Sequence, residues 1–199
     1  MYTFIHPTKS GGTALEEHFS QHYDNYIEGR NHYNKCTPQN NPIIVLREPV
    51  DRFISMYKYW KYGSNVFLRS KEFMDKYSSY TIKDYIDLIK INDLEELIID
   101  FTYNEHILPT SYWLNGTPLD KIIIIIYVKN LDEKMTNILK TLGIPDKKIP
   151  IPIVNITKNS EEKVTLDDDD LHFIRTQYKE DFDLYEKAQN QPYLFRKVL

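Results

Sequence analysis

The sequence predicts an α/β fold in which a mostly parallel central sheet is flanked by helices. Patterns typical of strands alternate along the chain with patterns typical of helices, and such alternation indicates a parallel sheet with helical crossovers. The run Ile43–Leu46 is apolar and rich in β-branched residues, as expected for a strand buried on both faces. A second apolar run, "KIIIIIYV", predicts a central strand. We expect a single domain over residues 1–199.

The first elements surround a glycine-containing loop. Tyr2 to His6 predicts a strand that stops at Pro7, and the loop "KSGGT" follows. Leu15 and Phe19 lie four residues apart, on one face of a helix. We therefore expect this helix to begin at Gly12-Thr13, directly after the loop.

The later elements are predicted from periodicity and from residues that begin or end helices. A helix is expected from Pro49 to Gly63, and residues 64–80, which lack a periodic pattern, are expected to form a mobile insertion. Further helices are predicted for "TIKDYIDLIK", "DLEELIIDF" and "NLDEKMTNILKTLG", the last of which ends at Gly143. The segment "NEHILPTSYWLNGTP" is predicted as a loop and "IPIPIVNITKNS" as extended chain, followed by a helix from about Leu166 to Lys187.

Composition limits the classes of function. The chain has 199 residues, of which 41% are hydrophobic and 27% charged, and its formal net charge is -4. An acidic balance lacks the overall basic footprint of a nucleic-acid-binding protein, so we expect no nucleic-acid partner and a local site for any anionic ligand. The single cysteine, Cys36, rules out an internal disulfide framework, and we interpret it as a partly buried thiol without a functional role.

The sequence also allows an expectation about targeting signals and membrane segments. The first strand pattern begins at Tyr2, without a charged leader and a long apolar segment. The longest apolar run, Ile122 to Val128, is too short to span a bilayer. We expect no signal peptide and no membrane insertion in the chain as given, and a cytoplasmic or otherwise soluble protein.

The loop between the first strand and the first helix predicts an anion site. The free N–H groups at the start of a helix, the positive end of the helix dipole and the ammonium of Lys9 would together attract phosphate. The loop is not a Walker A motif, because there the lysine follows the last glycine, whereas Lys9 precedes Gly11 and Gly12. A Gly-Gly pair also occurs in ordinary turns, which is the alternative interpretation.

A second anion site is predicted at Arg47. This arginine directly follows the strand Ile43–Leu46, and ligands of open parallel sheets bind beyond the carboxyl ends of the strands. Ser55 lies two helical turns further on, so a guanidinium fork and a hydroxyl could hold one phosphate. The alternative is that Arg47 pairs with Glu48 or Asp51. Two anion sites on one sheet would suit a ligand with phosphates at both ends.

Several segments together resemble a known family. They are "FIHPTKSGGTALEEHF", "IIVLREPVDRFISMYKYW", "NEHILPTSYWL", "KIIIIIYVKNLDEKMTNILKTLGI", "VNITKNS" and "YKEDFDLYEK". They resemble the sulfotransferases that use 3′-phosphoadenosine 5′-phosphosulfate (PAPS), in particular the heparan sulfate 2-O- and 6-O-sulfotransferase branch of carbohydrate sulfotransferases with its bacterial and viral relatives. The resemblance covers nearly the whole chain. It implies a P-loop-nucleotide-kinase-like sulfotransferase fold.

The resemblance also implies roles for individual residues. Position by position, the 5′-phosphosulfate would be held by Lys9, Ser10, Gly11, Gly12, Thr13 and Ala14. The 3′-phosphate would be held by Arg47 and Ser55, with Arg52 bracing the site. The chain departs from related proteins at Thr8, which separates Pro7 from Lys9, and at Thr110, where Gln is frequent.

Sulfuryl transfer needs positive charge at the oxygen that bridges sulfur and phosphate, and a base for the acceptor hydroxyl. Lys9 and the loop amides are the expected leaving-group stabilisers. A metal is not required, and the sequence shows no set of ligands at metal-binding spacing. PAPS would be the sulfuryl donor and adenosine 3′,5′-diphosphate (PAP) the product, with no metal cofactor.

The base is expected to be a histidine, because its pKa lies near neutrality. His32 is the first candidate, since related 2-O-sulfotransferases have an active-site histidine in a similar place. His18 is the second, because 6-O-type enzymes have a histidine at that spacing from the loop lysine. His106 is the third, more as a substrate-positioning residue, and Glu28 and Glu17 remain alternatives.

The acceptor is expected to be a hydroxyl, on a carbohydrate. Arg30, Trp60 and His106 are candidate substrate contacts. Arg30 lies in a segment that could border the cleft, and Trp60 offers a flat surface against which a sugar ring could pack. Trp60 also has a core interpretation, since one face of its helix must be buried. Two other functions stay open: a P-loop-type small-molecule kinase, and a catalytically silent module that binds PAPS or a glycan.

Overall fold

The computed structural model describes residues 1–29, 34–64, 68, 70–91, 106–127, 131–154 and 161–190. This described chain divides into two compact units. The first unit comprises the described parts of Met1–Glu48, Pro109–Val154 and Glu180–Leu199, and the second those of Pro49–Leu108 and Asn155–Lys179. The expectation of a single domain over residues 1–199 stays a prediction.

The first unit contains a parallel sheet. Its strands are β1 (Tyr2–Ile5), β2 (Ile27–Gly29), β3 (Pro42–Leu46) and β4 (Ile123–Ile126). Within the described residues the sheet has four strands in the order β2-β1-β3-β4, and every neighbouring pair is parallel. The predicted α/β class with a parallel sheet is confirmed.

Two strand predictions need correction. The strand in "KIIIIIYV" was expected to be central, but β4 stands at the end of the order. Its first three residues are buried all the same, so an apolar run did not distinguish a central strand from one at the end of the described sheet. Strand β2 was not predicted, because three residues, one of them glycine, are too few to show a pattern.

Helices cover one face of this sheet. They are α1 (Gly12–His22) and α6 (Leu131–Thr141). Their apolar residues form one buried cluster with alternate residues of the strands: Phe4, Leu15, Phe19, Tyr23, Ile27, Ile43, Val45, Ile123, Ile125, Leu131, Met135, Leu139, Leu142 and Ile144. The predicted helix end at Gly143 is confirmed: Gly143 has φ 69, and the N–H groups of Gly143 and Ile144 donate to Lys140 and Leu139, a Schellman motif.

The rest of the first unit has two short elements before β4 and a helix at its end. The segment "NEHILPTSYWLNGTP", predicted as a loop, contains a short helix, α5 (Ser111–Leu114), and a 3₁₀ turn at Leu119–Lys121 follows it. The last helix, α8 (Lys179–Asn190), also belongs to this unit from Glu180 onward.

The second unit is helical within the described residues. It contains α2 (Pro49–Tyr62), α3 (Lys71–Tyr77), α4 (Ile82–Lys90) and α7 (Asp168–Gln177). The predicted extents of α2 and α4 are confirmed. The predicted helix "DLEELIIDF" lies outside the described residues.

Two helix predictions were incomplete. Residues 64–80 lacked a periodic pattern, yet the described part includes α3, whose N-terminus is capped by the Ser70 hydroxyl accepting from Phe73 N at 3.2 Å. The single C-terminal helix expected from Leu166 is two helices, α7 and α8. Helix α7 does begin with an acidic cap, because Asp167 and Asp170 form a capping box.

The break between the last two helices falls at Tyr178. Its backbone angles, φ -113 and ψ 29, depart from helical values. Its ring is buried against Phe53, and its hydroxyl donates to the carbonyl oxygen of Ile107 at 2.9 Å. These tertiary contacts hold Tyr178 in place, and local propensity alone does not reveal them.

Candidate active site

The loop between β1 and α1 is a tight and largely buried turn. The backbone N–H and the Oγ hydroxyl of Ser10 both donate to the carbonyl of Pro7, at 3.3 Å and 2.6 Å. Lys9 and Gly11 have positive φ angles of 60 and 83, which is an uncommon conformation for lysine. The predicted Ser10 is thus 1% exposed and engaged in the turn itself, while Lys9 is half-buried.

The start of α1 has the features of an anion site. Gly11 is the N-cap residue and has no side chain with which to cap the helix. The first turn contains no acidic residue, and Thr13 is exposed. The first N–H groups of a helix have no partner within the helix, so those at Gly12, Thr13 and Ala14 can serve an anion.

Both glycines of the loop permit close packing within the protein. A Cβ atom added at Gly12 would overlap with Cβ and Cγ of His6 and lie 2.5 Å from its Nδ1. A Cβ added at Gly11 would lie 2.5 Å from Cδ2 and 3.0 Å from Cζ of Tyr127. The close approach that these glycines permit is made by two side chains of the protein, those of His6 and Tyr127.

The side chain of His6 packs against the start of α1. Its ring is buried, stacks on Phe4 with centroids 5.8 Å apart, and its Nε2 lies 2.9 Å from Oε2 of Glu16 on α1. These contacts join the end of β1 to the second turn of α1. Gly12 packs directly on this ring, so the helix start is fixed relative to the strand.

Arg47 and Lys9, predicted for opposite ends of the ligand, are brought together. Arg47 follows β3, and its Nη1 donates to the backbone carbonyl of Lys9 at 3.4 Å. The Cζ atom of Arg47 also lies 5.8 Å from the ring centroid of Tyr127. Because β1 and β3 are adjacent and parallel, the two residues that follow their carboxyl ends meet at one edge of the sheet.

Three further predicted residues, Ser55, His106 and Arg52, belong to the second unit. Ser55 is half-buried on α2. His106 is half-buried and stacks in parallel on Tyr59, with centroids 5.0 Å and planes 4° apart. Arg52 is 2% exposed, and its Nη2 donates to the carbonyl of Leu108 at 2.8 Å. Arg52 therefore fixes the backbone two residues beyond His106.

Trp60 occupies a core position. It is 2% exposed, and its ring contacts aromatic rings of three helices and of the segment between α3 and α4: Tyr57, Phe73, Tyr77, Tyr80 and Tyr85. We therefore assign it no contact with a sugar, in agreement with the core interpretation of this helix face.

His18 is fully buried on α1. Its exposed fraction is 0%, and neither ring nitrogen has a hydrogen-bond partner among the described residues. The rings of His22 and Tyr23 lie 5.5 Å and 5.3 Å away. Burial and the nearby His22 lower the pKa of His18, although Asp132 and Asp146 act in the opposite direction. The imidazole is thus held neutral, but water and an acceptor hydroxyl cannot reach it in this structure.

Two candidate residues, His32 and Arg30, lie outside the described residues. Their roles stay predictions. Cys36 is fully buried rather than partly buried, and burial raises the pKa of its thiol to about 12, so it is unreactive at neutral pH.

The described residues contain neither a metal-binding cluster nor a membrane-spanning helix. Among the described residues, no group of three or more His, Cys, Asp or Glu side chains could hold a metal ion. None of the helices in the described ranges is long and apolar enough to cross a membrane.

Sequence reasoning missed two residues of this region. Tyr127 directly follows β4, so it carries the same positional signal that singled out Arg47. Asp181 on α8 accepts from the backbone N–H and the hydroxyl of Thr110, at 2.7 Å and 3.0 Å. An acidic residue 71 positions away in the chain gave no signal of that contact.

Comparison with known proteins gives one match. The family model described as "Sulfotransferase family" matches residues 7–188, a range that includes the loop, Arg47 and Tyr127. Neither the curated proteins nor the solved structures that were compared gave a match.

Proposed function

The chain belongs to the sulfotransferase family, whose members transfer sulfuryl groups, and from this we propose that it transfers the sulfuryl group of PAPS to a hydroxyl of a carbohydrate. The observation that carries the proposal is the hydrogen bond from Arg47 to the carbonyl of Lys9. It joins the two elements that were predicted independently as anion sites.

The described residues fit an anionic donor. Helix α1 begins at a glycine N-cap, which has no capping side chain, and has no acidic residue in its first turn, so its first N–H groups and its dipole favour an anion. The Arg47 guanidinium lies against the backbone of Lys9, so two cationic residues stand at the same edge of the sheet. PAPS would supply the sulfuryl group and would leave as PAP.

Different residues are proposed to hold the two anionic ends of PAPS. Lys9 and the N–H groups of Gly11 to Ala14 hold the 5′-phosphosulfate and stabilise the charge on the leaving phosphate. Arg47 holds the 3′-phosphate through charge-assisted hydrogen bonds. Ser55 is assigned to the same phosphate on the resemblance to the family alone.

His32 is proposed as the base that takes the proton of the acceptor hydroxyl. A general base must come within hydrogen-bond reach of that proton. The burial of both ring nitrogens of His18 argues against the rival, so the resemblance to 2-O-sulfotransferases decides for His32. His106 and Arg30 are proposed as acceptor contacts.

A transfer assay tests the acceptor. Radiolabelled PAPS is incubated in excess EDTA with sulfatable glycans, phenols, small alcohols and tyrosine peptides, and label is expected in the glycans. Lys9→Met should abolish transfer, whereas Lys121→Met, at an exposed lysine of the first unit, should not.

Label in phenols or peptides alone contradicts the carbohydrate acceptor. Transfer that requires magnesium and ATP would favour a kinase, and PAP binding without any transfer would favour a silent module.

A further inference from the structure

Tyr127 lies between the two anion-binding elements of the first unit. It is the residue after β4, and its backbone N–H donates to the carbonyl of Leu46 at 2.7 Å. Leu46 is the last residue of β3 and directly precedes Arg47. This hydrogen bond therefore fixes the backbone of Tyr127 beside the backbone of Arg47.

One edge of the Tyr127 ring is packed against the loop. Its Cδ2 and Cζ atoms occupy the space in which a side chain of Gly11 would begin. Gly11 is the N-cap of α1 and has φ 83, so the contact is made at the residue that sets the direction of the first helical N–H groups. The ring also packs against the buried cluster of the sheet, which limits its freedom to move away.

The same ring faces the guanidinium of Arg47. The distance of 5.8 Å between Cζ and the ring centroid lies within the range of about 6 Å for a cation–π contact. Arg47 in turn donates to the carbonyl of Lys9. Tyr127, Gly11, Lys9 and Arg47 thus form a closed set of contacts, in which one aromatic ring touches both the loop and the arginine.

We propose that Tyr127 is a positioning residue, whose ring holds the Gly11 loop and the Arg47 guanidinium in the arrangement that binds the two anionic ends of the donor. This inference rests on the proposed function for the identity of the ligand. The contacts on which it depends involve ring carbons, so the aromatic ring and not the hydroxyl performs this role.

The test compares variants by their affinity for PAP and by hydrogen exchange of the Gly11 to Thr13 amides in ligand-free protein. Tyr127→Phe keeps the ring and should bind PAP within about twofold of the wild type. Tyr127→Leu should weaken PAP binding by roughly tenfold or more, the loss of about one such contact, and should speed exchange in the loop. Tyr127→Met fills a similar volume without a ring, and it serves as the second variant if the leucine variant does not fold.

Tyr2→Leu is the matched control. Tyr2 packs against the same buried cluster as Tyr127 but lies at the opposite end of β1 from the loop. Its replacement should lower stability without changing PAP affinity or loop exchange. Coupling is tested in the Arg47→Ala background, where Tyr127→Leu should weaken PAP binding less than it does in the wild type.

Three results would overturn the inference. Tyr127→Phe that weakens PAP binding as much as Tyr127→Leu would assign the role to the hydroxyl. Tyr127→Leu with unchanged affinity and exchange would show that the ring positions nothing. If Tyr127→Leu weakens PAP binding equally in the presence and absence of Arg47, the ring does not act through the arginine. A wild-type protein that fails to bind PAP contradicts the proposed function instead, and the exchange measurement then still decides whether the ring positions the loop.

Discussion

The carboxylate of Asp181 binds Thr110 twice, accepting from its backbone N–H at 2.7 Å and from its hydroxyl at 3.0 Å. Both residues are buried, with exposed fractions of 4%. The contact ties α8 to the residue that precedes α5 within the first unit. Thr110, a position at which the chain was expected to depart from related proteins, thus has a structural partner.

Asp181→Ala should therefore lower the free energy of unfolding by roughly 2 to 4 kcal/mol, since it leaves two buried donors without their acceptor. Asp181→Asn should cost less, because its amide can accept from the N–H and donate to the hydroxyl oxygen of Thr110. Urea unfolding of the three proteins measures the difference. Equal losses in both variants would show that the two hydrogen bonds are not what the carboxylate contributes.

Gly12→Ala should destabilise the protein by roughly 3 kcal/mol, because the added methyl group overlaps with Cβ of His6, an atom that no rotamer change can move away. Gly143→Ala is the comparison: an added Cβ there meets nothing within 4 Å, but φ is 69. That variant should lose only about 1 kcal/mol, from backbone strain. Thermal unfolding checks the order, and a Gly12→Ala protein as stable as Gly143→Ala would contradict the packing described for the loop.

Acid should destabilise the protein through His18. Its pKa is lowered in the folded state by burial and by His22, against smaller opposing effects of Asp132 and Asp146. The unfolded chain therefore binds a proton as the pH falls below about 6.5, while the folded chain does not. Stability is fully present above that pH and is lost toward the lower folded pKa, at a rate of up to about 1.4 kcal/mol per pH unit.

His18→Leu should remove this part of the pH dependence, whereas His172→Leu, at an exposed position of α7, should keep it. The measurement is the free energy of unfolding in urea between about pH 7.5 and about pH 5, a range that includes the ordinary histidine pKa of about 6.5. An unchanged slope in His18→Leu would show that another group titrates.

His32→Ala should lower kcat by about 10² to 10⁴-fold and leave PAP affinity almost unchanged, because a general base acts on the acceptor in the transition state. The rate should also fall as the pH drops through the histidine pKa, since only neutral imidazole accepts the proton. Steady-state kinetics beside PAP calorimetry separates the two effects. Near-normal kcat in His32→Ala, together with a lost kcat in a stably folded His18→Leu, would transfer the role to His18.

The sequence predicted the parts of this molecule that depend on local patterns. Apolar runs located β1, β3 and β4, and the position of Arg47 directly after a buried strand located its place at the sheet edge. Contacts between residues distant in sequence were not predicted. The bond from Asp181 to Thr110, the turn at Tyr178 and the packing of Tyr127 on Gly11 depend on which elements the fold brings together, and no spacing in the chain encodes them.

His18 illustrates a different limit. Its spacing from Lys9 favoured a catalytic role, but helical periodicity also places it near Leu15 on the buried face of α1. One spacing served both interpretations, and only the exposed fraction of the side chain separates them. The spacing of a histidine from the loop lysine is therefore weak evidence for catalysis when the same helix face carries core residues.

The central claim is that Lys9 with the α1 N-terminus and Arg47 together bind a nucleotide with phosphates at both ends. Calorimetry with PAP and with AMP measures this directly, because AMP lacks the 3′-phosphate. We expect PAP to bind much more tightly than AMP, and Arg47→Ala to abolish the preference at a cost of roughly 2 to 4 kcal/mol. Equal affinities of the wild-type protein for PAP and AMP would contradict the account.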